Sequence, residues 1–213
     1  MKALIIYSGG MDSSVLLHRY KKEIALAITF DYGSKHNQRE IKAAKRNCEK
    51  LNIEHKIIEL PFVNQYFKSS LLRSGGKIPK GSYEQETMKS TVVPFRNGVM
   101  LSIAVGIAES NNLDTILIAN HFGDHDIYPD CRKEFIDAFS LTAKTGTYGQ
   151  IKIHSPFCEI NKREIALIGK EIKINFADTY SCYNGKKIHC GECSTCLERK
   201  DALKGFDNTK YLK

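Results

Sequence analysis

No apolar run in this chain of 213 residues is long enough to cross a membrane, and the N-terminus lacks the succession of charged, apolar and small residues that marks a secretory leader. A cytoplasmic protein with no membrane partner is the expectation. Internal repeats are missing, and so is any Pro-, Gly- or Ser-rich linker between large domains, which excludes repeat arrays. Lysine and arginine outnumber aspartate and glutamate by 32 to 24, a formal charge of +8, but they gather into no single stripe. A polyanion-binding surface needs a continuous basic track, so this charge permits nucleic-acid binding without calling for it. Two phosphate-binding signatures are absent too. No Gly-Lys-[Ser/Thr] follows the N-terminal glycines, which excludes a Walker A loop, and the third glycine of a dinucleotide fingerprint is missing. Seven cysteines without a secretory leader argue against a disulfide framework.

What the N-terminus does hold is Tyr7-Ser8-Gly9-Gly10-Met11-Asp12-Ser13-Ser14. The apolar run Ala3–Tyr7 ahead of it reads as a buried parallel strand, and Val15–Lys21 behind it as an amphipathic helix. Two glycines between them let the backbone turn sharply and approach a ligand. Successive N–H groups there form an anion nest, reinforced by the positive end of the helix dipole. Ser8, Ser13 and Ser14 add hydroxyl donors for phosphate oxygens, and Asp12 orients a metal or caps the helix. The stretch Tyr7–Ser14 therefore reads as a phosphate site.

Further along, apolar runs at 23–30, 55–60, 115–119 and 151–154 alternate with helical patterns at 39–51, 98–110 and 133–144. Asn161 and Glu164 form a capping pair ahead of another helix. This alternation predicts an α/β fold, a Rossmann-like parallel sheet with helices on both faces. Residues 1–175 are assigned to that domain and 176–213 to a small appended segment. Residues 73–91, rich in Gly, Ser and Lys, read either as a lid bringing Lys77 and Lys80 to phosphates or as a solvated loop. Asn97 is read as the N-cap of the apolar helix 98–110, and Arg96 just before it as a bidentate ligand for phosphate or carboxylate. The polar stretch Asn120–Arg132 follows a strand and is read as a substrate pocket. His121 and His125 have the spacing of a metal pair, but Gly123 puts them on a loop, so the pocket reading is preferred.

Cys182, Cys190, Cys193 and Cys196 crowd into the C-terminal segment. Their spacing can wrap one tetrahedral Zn²⁺, and the overlapping Cys-x2-Cys-x2-Cys run also admits an iron–sulfur cluster. Zinc, one ion per chain and structural because no coordination position stays open, is the chosen reading, with His189 as a reserve ligand.

Ser8-Gly9-Gly10-x-Asp12-Ser13 resembles the pyrophosphate loop of the ATP pyrophosphatase superfamily. With Val93-Pro94-Phe95-Arg96-Asn97, Tyr128-Pro129-Asp130-Cys131-Arg132, Ser181-Cys182-Tyr183 and Cys190-Gly191-x-Cys193-x2-Cys196-x2-Arg199, nearly the whole chain resembles the 7-cyano-7-deazaguanine synthase family. The resemblance implies an adenine nucleotide alpha hydrolase-like fold and an ATP-dependent carbon–nitrogen ligase. Such an enzyme adenylates 7-carboxy-7-deazaguanine, lets ammonia form the amide, and activates the amide again to give the nitrile. It implies that Ser8, Gly9, Gly10, Asp12 and Ser13 hold pyrophosphate and Mg²⁺, and that Arg96 and Arg132 meet the carboxylate or the α-phosphate. Asp124, Tyr128 and Asp130 would complete the substrate pocket. Small molecules are the expected partners, with no nucleic acid required, and a homodimer is the expected assembly. The sequence departs from many family members at Phe95, where they carry Gly, and at Tyr180, where they carry Trp, which puts pocket shape in question rather than chemistry. A tRNA-thiolating relative would need a reactive cysteine by the nucleotide, for which Cys131 is the candidate, and an amidotransferase would need a glutaminase domain that 213 residues do not accommodate.

Overall fold

The first strand, β1 (Ala3–Ile6), is apolar throughout because both of its faces are covered. Successive side chains of a strand point to opposite faces. Ala3 and Ile5 accordingly join one core cluster and Leu4 the other. The computed structural model describes residues 1–79 and 86–213. In it β1 lies at the centre of a five-stranded sheet of order β3-β2-β1-β4-β5, with β2 (Ile24–Asp31), β3 (His55–Glu59), β4 (Thr115–Leu117) and β5 (Lys152–His154). Every pairing is parallel, and Ile5 of β1 stands opposite Ala27 on one side and Leu117 on the other. The α/β expectation holds.

One face of the sheet carries α1 (Met11–Arg19), α2 (Asn37–Leu51) and α6 (Lys162–Glu171), through Val15, Leu16, Leu17, Ala44, Ile165 and Ala166. Cys48 of α2 is buried in that cluster as a small apolar residue. The other face carries α3 (Pro61–Tyr66), α4 (Arg96–Ser110) and α5 (Lys133–Thr145), through Val63, Leu101, Ala104 and Ile136. Each of the valine, leucine and isoleucine side chains among these stabilises the fold by about 1.5–3 kcal/mol on burial. Asn161 and Glu164 make the expected reciprocal caps at the start of α6: Glu164 N donates to Asn161 Oδ1 at 3.0 Å and Asn161 N to Glu164 Oε2 at 2.7 Å.

The chain runs outward from β1 to β2 and β3, then returns across the sheet to β4 and β5. Beyond the carboxyl ends of β1 and β4 the connections diverge, and open α/β sheets bind their ligands in such a crevice.

The apolar segment Met88–Ser110 is interrupted by Pro94 and the left-handed Phe95, and α4 beyond them is a core helix of 15 residues, as expected. Two local expectations change. Asn97 does not cap α4; the helix starts at Arg96 and the capping position is Phe95. The lid over 73–91 shrinks: Glu86–Thr91 forms a 3-10 turn with Met88 wholly buried, and Lys35 Nζ donates to the carbonyls of Ser70, Gly75 and Gly76. Lys77 is exposed on the surface, and Lys80 lies outside the described residues.

The C-terminal segment is sewn into the main core. Phe176, Ala202 and Leu203 belong to the first cluster. Arg199, of α7 (Ser194–Ala202), is fully buried and donates to Phe176 O at 2.6 Å, Ser181 Oγ at 2.9 Å and Thr209 Oγ1 at 3.0 Å.

Candidate active site

The loop after β1 comprises only Tyr7 to Gly10, because α1 begins at Met11, four residues earlier than its apolar periodicity suggests. Asp12, Ser13 and Ser14 thus occupy the first helical turn. Ser14 N is bonded to Gly10 O at 3.0 Å, whereas the N–H groups of Met11, Asp12 and Ser13 have no carbonyl within the helix to reach. Gly9 has φ +80°, and a Cβ there would sit 2.5 Å from Glu40 O and 2.8 Å from Ala44 N, so the loop closes directly on α2 and only glycine fits. Ser8 Oγ accepts from Gly10 N at 3.1 Å and pairs with Ser13 Oγ at 3.0 Å. These hydroxyls stand at the mouth of a cavity of about 230 Å³.

Not every residue of Tyr7–Ser14 turns its side chain to that cavity. Tyr7 OH bonds Ser14 Oγ at 2.9 Å and accepts from Asn47 Nδ2 at 2.9 Å beneath the loop. Burial lifts the Tyr7 phenol to about 12, and the pair braces the loop from below. The Ser14 hydroxyl is therefore a support and not a phosphate donor in this arrangement.

Asp12 is the hinge of the charge arrangement. Its Oδ2 lies 3.3 Å from Lys162 Nζ and 3.9 Å from His121 Nε2, while its Oδ1 is buried without a hydrogen-bond partner among the described residues. Lys162 also binds Glu198 Oε2 at 2.6 Å. Burial alone would lower the Lys162 ammonium, but the carboxylates of Asp12 and Glu198 outweigh it and its pKa is raised. Lys162 carries a positive charge into the cavity at the very start of α6. His121, wholly buried, stands between Asp12 and Asp124, whose Oδ2 lies 3.6 Å from its Nε2. The orphaned Asp12 oxygen beside the anion-binding turn fits a divalent cation carried in with phosphates.

The rest of the cavity lining comes largely from β2, α2 and α4. Arg96 is partly buried, with Nη1 3.5 Å from Tyr32 OH and the guanidinium 5.9 Å over the Tyr32 ring. His36, Glu40, Tyr183 and Ser181 complete that wall, and Ile6, Phe30, Met100 and Ile118 give an apolar side suited to a flat heterocycle. Burial, reinforced by Arg96, depresses His36 to about 3, so its ring is neutral.

The structure separates the expected substrate residues. Arg96 and Asp124 line the cavity. Asp130 faces away: its Oδ2 accepts from Asn97 N at 2.7 Å and its carbonyl from Asn97 Nδ2 at 3.2 Å, so it supplies the cap of α4 that Asn97 was expected to supply. Tyr128 is tied by its hydroxyl to Thr91 Oγ1 at 3.0 Å and to Tyr183 OH at 3.2 Å, behind the wall. Arg132 is exposed at the N-cap of α5, and its Nε donates to His125 O at 2.9 Å. It does not reach the cavity, because the two 3-10 turns at Phe122–Asp124 and Pro129–Cys131 swing it to the far side. His125 likewise leaves His121 and lies 3.6 Å from Cys158 Sγ. Cys131 lines the cavity, but burial holds its thiol well above the ordinary value, the opposite of an activated nucleophile. Tyr180 lines the cavity as well, whereas Phe95 does not.

Glu40, Lys162 and Glu198 escaped sequence reasoning. Lys162 had one signal, its place at the first position of a capped helix whose N-terminus faces a strand end. Glu40 and Glu198 had none, since each is an ordinary polar residue of an amphipathic helix.

The sulfur atoms of Cys182, Cys190, Cys193 and Cys196 all lie within 4.8 Å of one another, and Cys190 Sγ and Cys196 Sγ are 3.8 Å apart. Tetrahedral ligation with bonds of about 2.3 Å requires sulfur–sulfur separations of about 3.8 Å. Cys193 N and Glu192 N point at Cys190 Sγ from 3.3 and 3.5 Å, and Cys190 N points at Cys182 Sγ from 3.3 Å, the hydrogen bonds that stabilise ligating thiolates. The cluster can therefore hold a metal ion. His189 is not needed in it, since its Nε2 accepts from Ser181 N at 3.1 Å.

Comparison with known proteins gives the family. A family profile described as Queuosine biosynthesis protein QueC matches residues 2–207. A protein of Porphyromonas gingivalis named 7-cyano-7-deazaguanine synthase is 55% identical over 201 residues, covering 94% of this chain and 91% of the relative. One of the same name from Desulfotalea psychrophila is 54% identical over 215 residues, covering 99% of this chain and 98% of the relative. Among solved structures, the NMN synthetase of Francisella tularensis superposes with a TM-score of 0.53 at 17% identity, over 98% of this chain and 79% of that one, a likeness of fold.

Proposed function

Because the chain belongs to the QueC family of queuosine biosynthesis proteins, we propose that it is an ATP-dependent ligase converting 7-carboxy-7-deazaguanine and ammonia to 7-cyano-7-deazaguanine. The observation that carries this reading is the meeting, in one cavity, of a helix N-terminal turn suited to anions and the cations Lys162 and Arg96. A carboxylate is a poor electrophile and oxide a poor leaving group, so the acid must first be esterified to a better one. Its oxygen attacks the α-phosphorus of ATP, the bond to the β-phosphate breaks, and pyrophosphate departs. Ammonia then adds to the acyl carbon, AMP leaves with the former carboxylate oxygen, and a proton is lost to give the amide. The amide oxygen takes adenylyl from a second ATP, and loss of AMP and protons forms the C≡N bond.

In this reading Ser8, Gly9, Gly10 and Ser13 with the first-turn N–H groups receive the departing pyrophosphate, where developing negative charge is stabilised by donors already in place. Lys162, held by Asp12 and Glu198, balances charge at the reacting phosphate. Mg²⁺, when bound, would neutralise phosphate charge, and Asp12 would hold it. Arg96 takes a polar edge or the carboxylate of the acid. The cysteine cluster would hold one structural zinc. We further propose that the protein works on small molecules without nucleic acid, in the cytoplasm, as a homodimer.

The test is direct. Protein, ATP, ammonium and 7-carboxy-7-deazaguanine are incubated and the products read by mass spectrometry, with nitrile, AMP and pyrophosphate expected. ADP and phosphate as products, sulfur in the product, or activity only with added tRNA would overturn the reading.

A further inference from the structure

Glu40 stands in the first turn of α2 with its backbone carbonyl against Gly9, and it lines the cavity. The side chain keeps 16% of its surface exposed. Its carboxylate accepts no hydrogen bond among the described residues. His36 Nε2 lies 3.7 Å from it, beyond hydrogen-bond reach, and that ring is neutral. Arg96 is the charge that acts on Glu40, but no ion pair joins them, since the guanidinium is turned to Tyr32. Asp130 and Glu198, by contrast, have donors of their own in Asn97 and Lys162. A carboxylate with little solvent access and no protein donor is poorly solvated, and a ligand that brings two N–H groups to it supplies what is missing.

We propose that Glu40 is the residue that selects a guanine-type ring, its carboxylate accepting from the ring N–H and the exocyclic amino group while Arg96 donates to the adjacent carbonyl oxygen. The assignment rests on the reading given under Proposed function and deepens it. A guanine-type edge presents acceptor, donor, donor in a row, and guanidinium beside carboxylate is its complement. An adenine-type edge sets an acceptor nitrogen next to its amino group, which a carboxylate repels. Tyr32 and Tyr183 on the same wall offer aromatic surface to the ring. The adenine of ATP would take the apolar lining of Ile6, Met100 and Ile118.

The experiment is a ligand cycle measured by titration calorimetry. 7-Carboxy-7-deazaguanine and its analogue lacking the 2-amino group are each titrated into the wild type and into Glu40→Gln, with ATP as a third ligand. In the wild type, removal of the amino group weakens binding by about 10- to 100-fold, as befits hydrogen bonds to a charged acceptor. In Glu40→Gln the acid binds more weakly, the analogue loses less than about threefold relative to it, and ATP affinity is unchanged. Glu40→Asp, which keeps the charge, retains a preference for the amino group and guards against misreading a folding defect. An equal penalty in wild type and Glu40→Gln overturns the assignment while leaving the proposed function standing, as does a loss confined to ATP, which would give Glu40 to adenine. A wild type that binds neither the acid nor the analogue overturns the proposed function and this assignment together.

Discussion

Asp12 and Glu40 are both carboxylates of the same cavity, and their surroundings make opposite demands on them. Asp12 is paired through one oxygen with Lys162 and leaves the other bare. Asp12→Asn should keep the fold, because Lys162 retains Glu198, and should cut kcat/KM for adenylation by about 10²–10³-fold, the scale for losing one preorganised charge partner. Steady-state kinetics paired with a melting curve separates these effects, and a large fall in Tm would make Asp12 a structural residue. Glu40 is raised from 4.5 to about 8 by burial, with Arg96 pulling the other way. Between those values the ligand-free native state holds a proton that the unfolded chain has released, and that the proposed ring N–H donors would displace on binding, so the stability of the free protein falls as pH rises from 4.5 to about 8 and levels off above. Glu40→Gln removes the titration. Its Tm should exceed that of the wild type at pH values above 8 and match it near pH 4, and a constant difference across that range would contradict the buried-carboxylate picture.

At the scale of the element, the start of α4 and the cysteine segment each rest on a local device. Phe95 adopts φ +52° as the residue before α4, a conformation that costs a side-chain-bearing residue about 1 kcal/mol and glycine little. Its ring lies 5.6 Å from that of Phe135 in an edge-on contact and covers Gly98, where a Cβ would come within 2.3 Å of it. Replacing Phe95 by Gly trades that contact for relief of the backbone. The clean comparison is Gly against Ala at this position, and Phe95→Gly should be more stable than Phe95→Ala by about 1 kcal/mol in denaturant unfolding. The departure from glycine noted in the sequence thus concerns the helix entry rather than the pocket. In the C-terminal segment, Gly185 and Gly191 turn with positive φ and bring four sulfurs together above a core that includes Phe176 and Ala202. Cys193→Ser should lose metal and folded yield together, with elemental analysis of the wild type giving one zinc per chain. Iron with inorganic sulfide in that analysis would replace zinc by a cluster.

At the scale of the whole molecule, a cavity lined by the loop, Arg96 and Lys162 lies where strand order reverses, and the +8 charge is dispersed along the chain. If the substrates are small molecules, kcat/KM for the acid should change by less than about tenfold between 50 and 200 mM salt. A nucleic-acid substrate held through several phosphates would lose about 10³–10⁵ over the same range. That measurement reads the dispersed charge directly.

The strand–loop–helix at the N-terminus, the alternation behind the parallel sheet and the cysteine spacing were legible in the residues because each is a local code. Periodicity 2 and 3.6, glycine at a turn and thiols at metal spacing act over a few positions and need no distant partner. The family followed from motifs of the same kind. Element edges were less legible: α1 starts at Met11 because the loop closes on α2 at Gly9, and Asp130, 33 residues away in the chain, takes over the cap expected of Asn97. The composition of the cavity was decided by the tertiary structure alone. Asn120–Arg132 looked like one polar patch, yet two tight turns send Asp124 inward and Arg132 out. Glu40 and Lys162 look like any solvated helix residues until the fold buries them beside Arg96 and Asp12. A side chain's chemistry at the site depends on which charges surround it and whether water reaches it, and those are set by contacts between residues far apart in the chain.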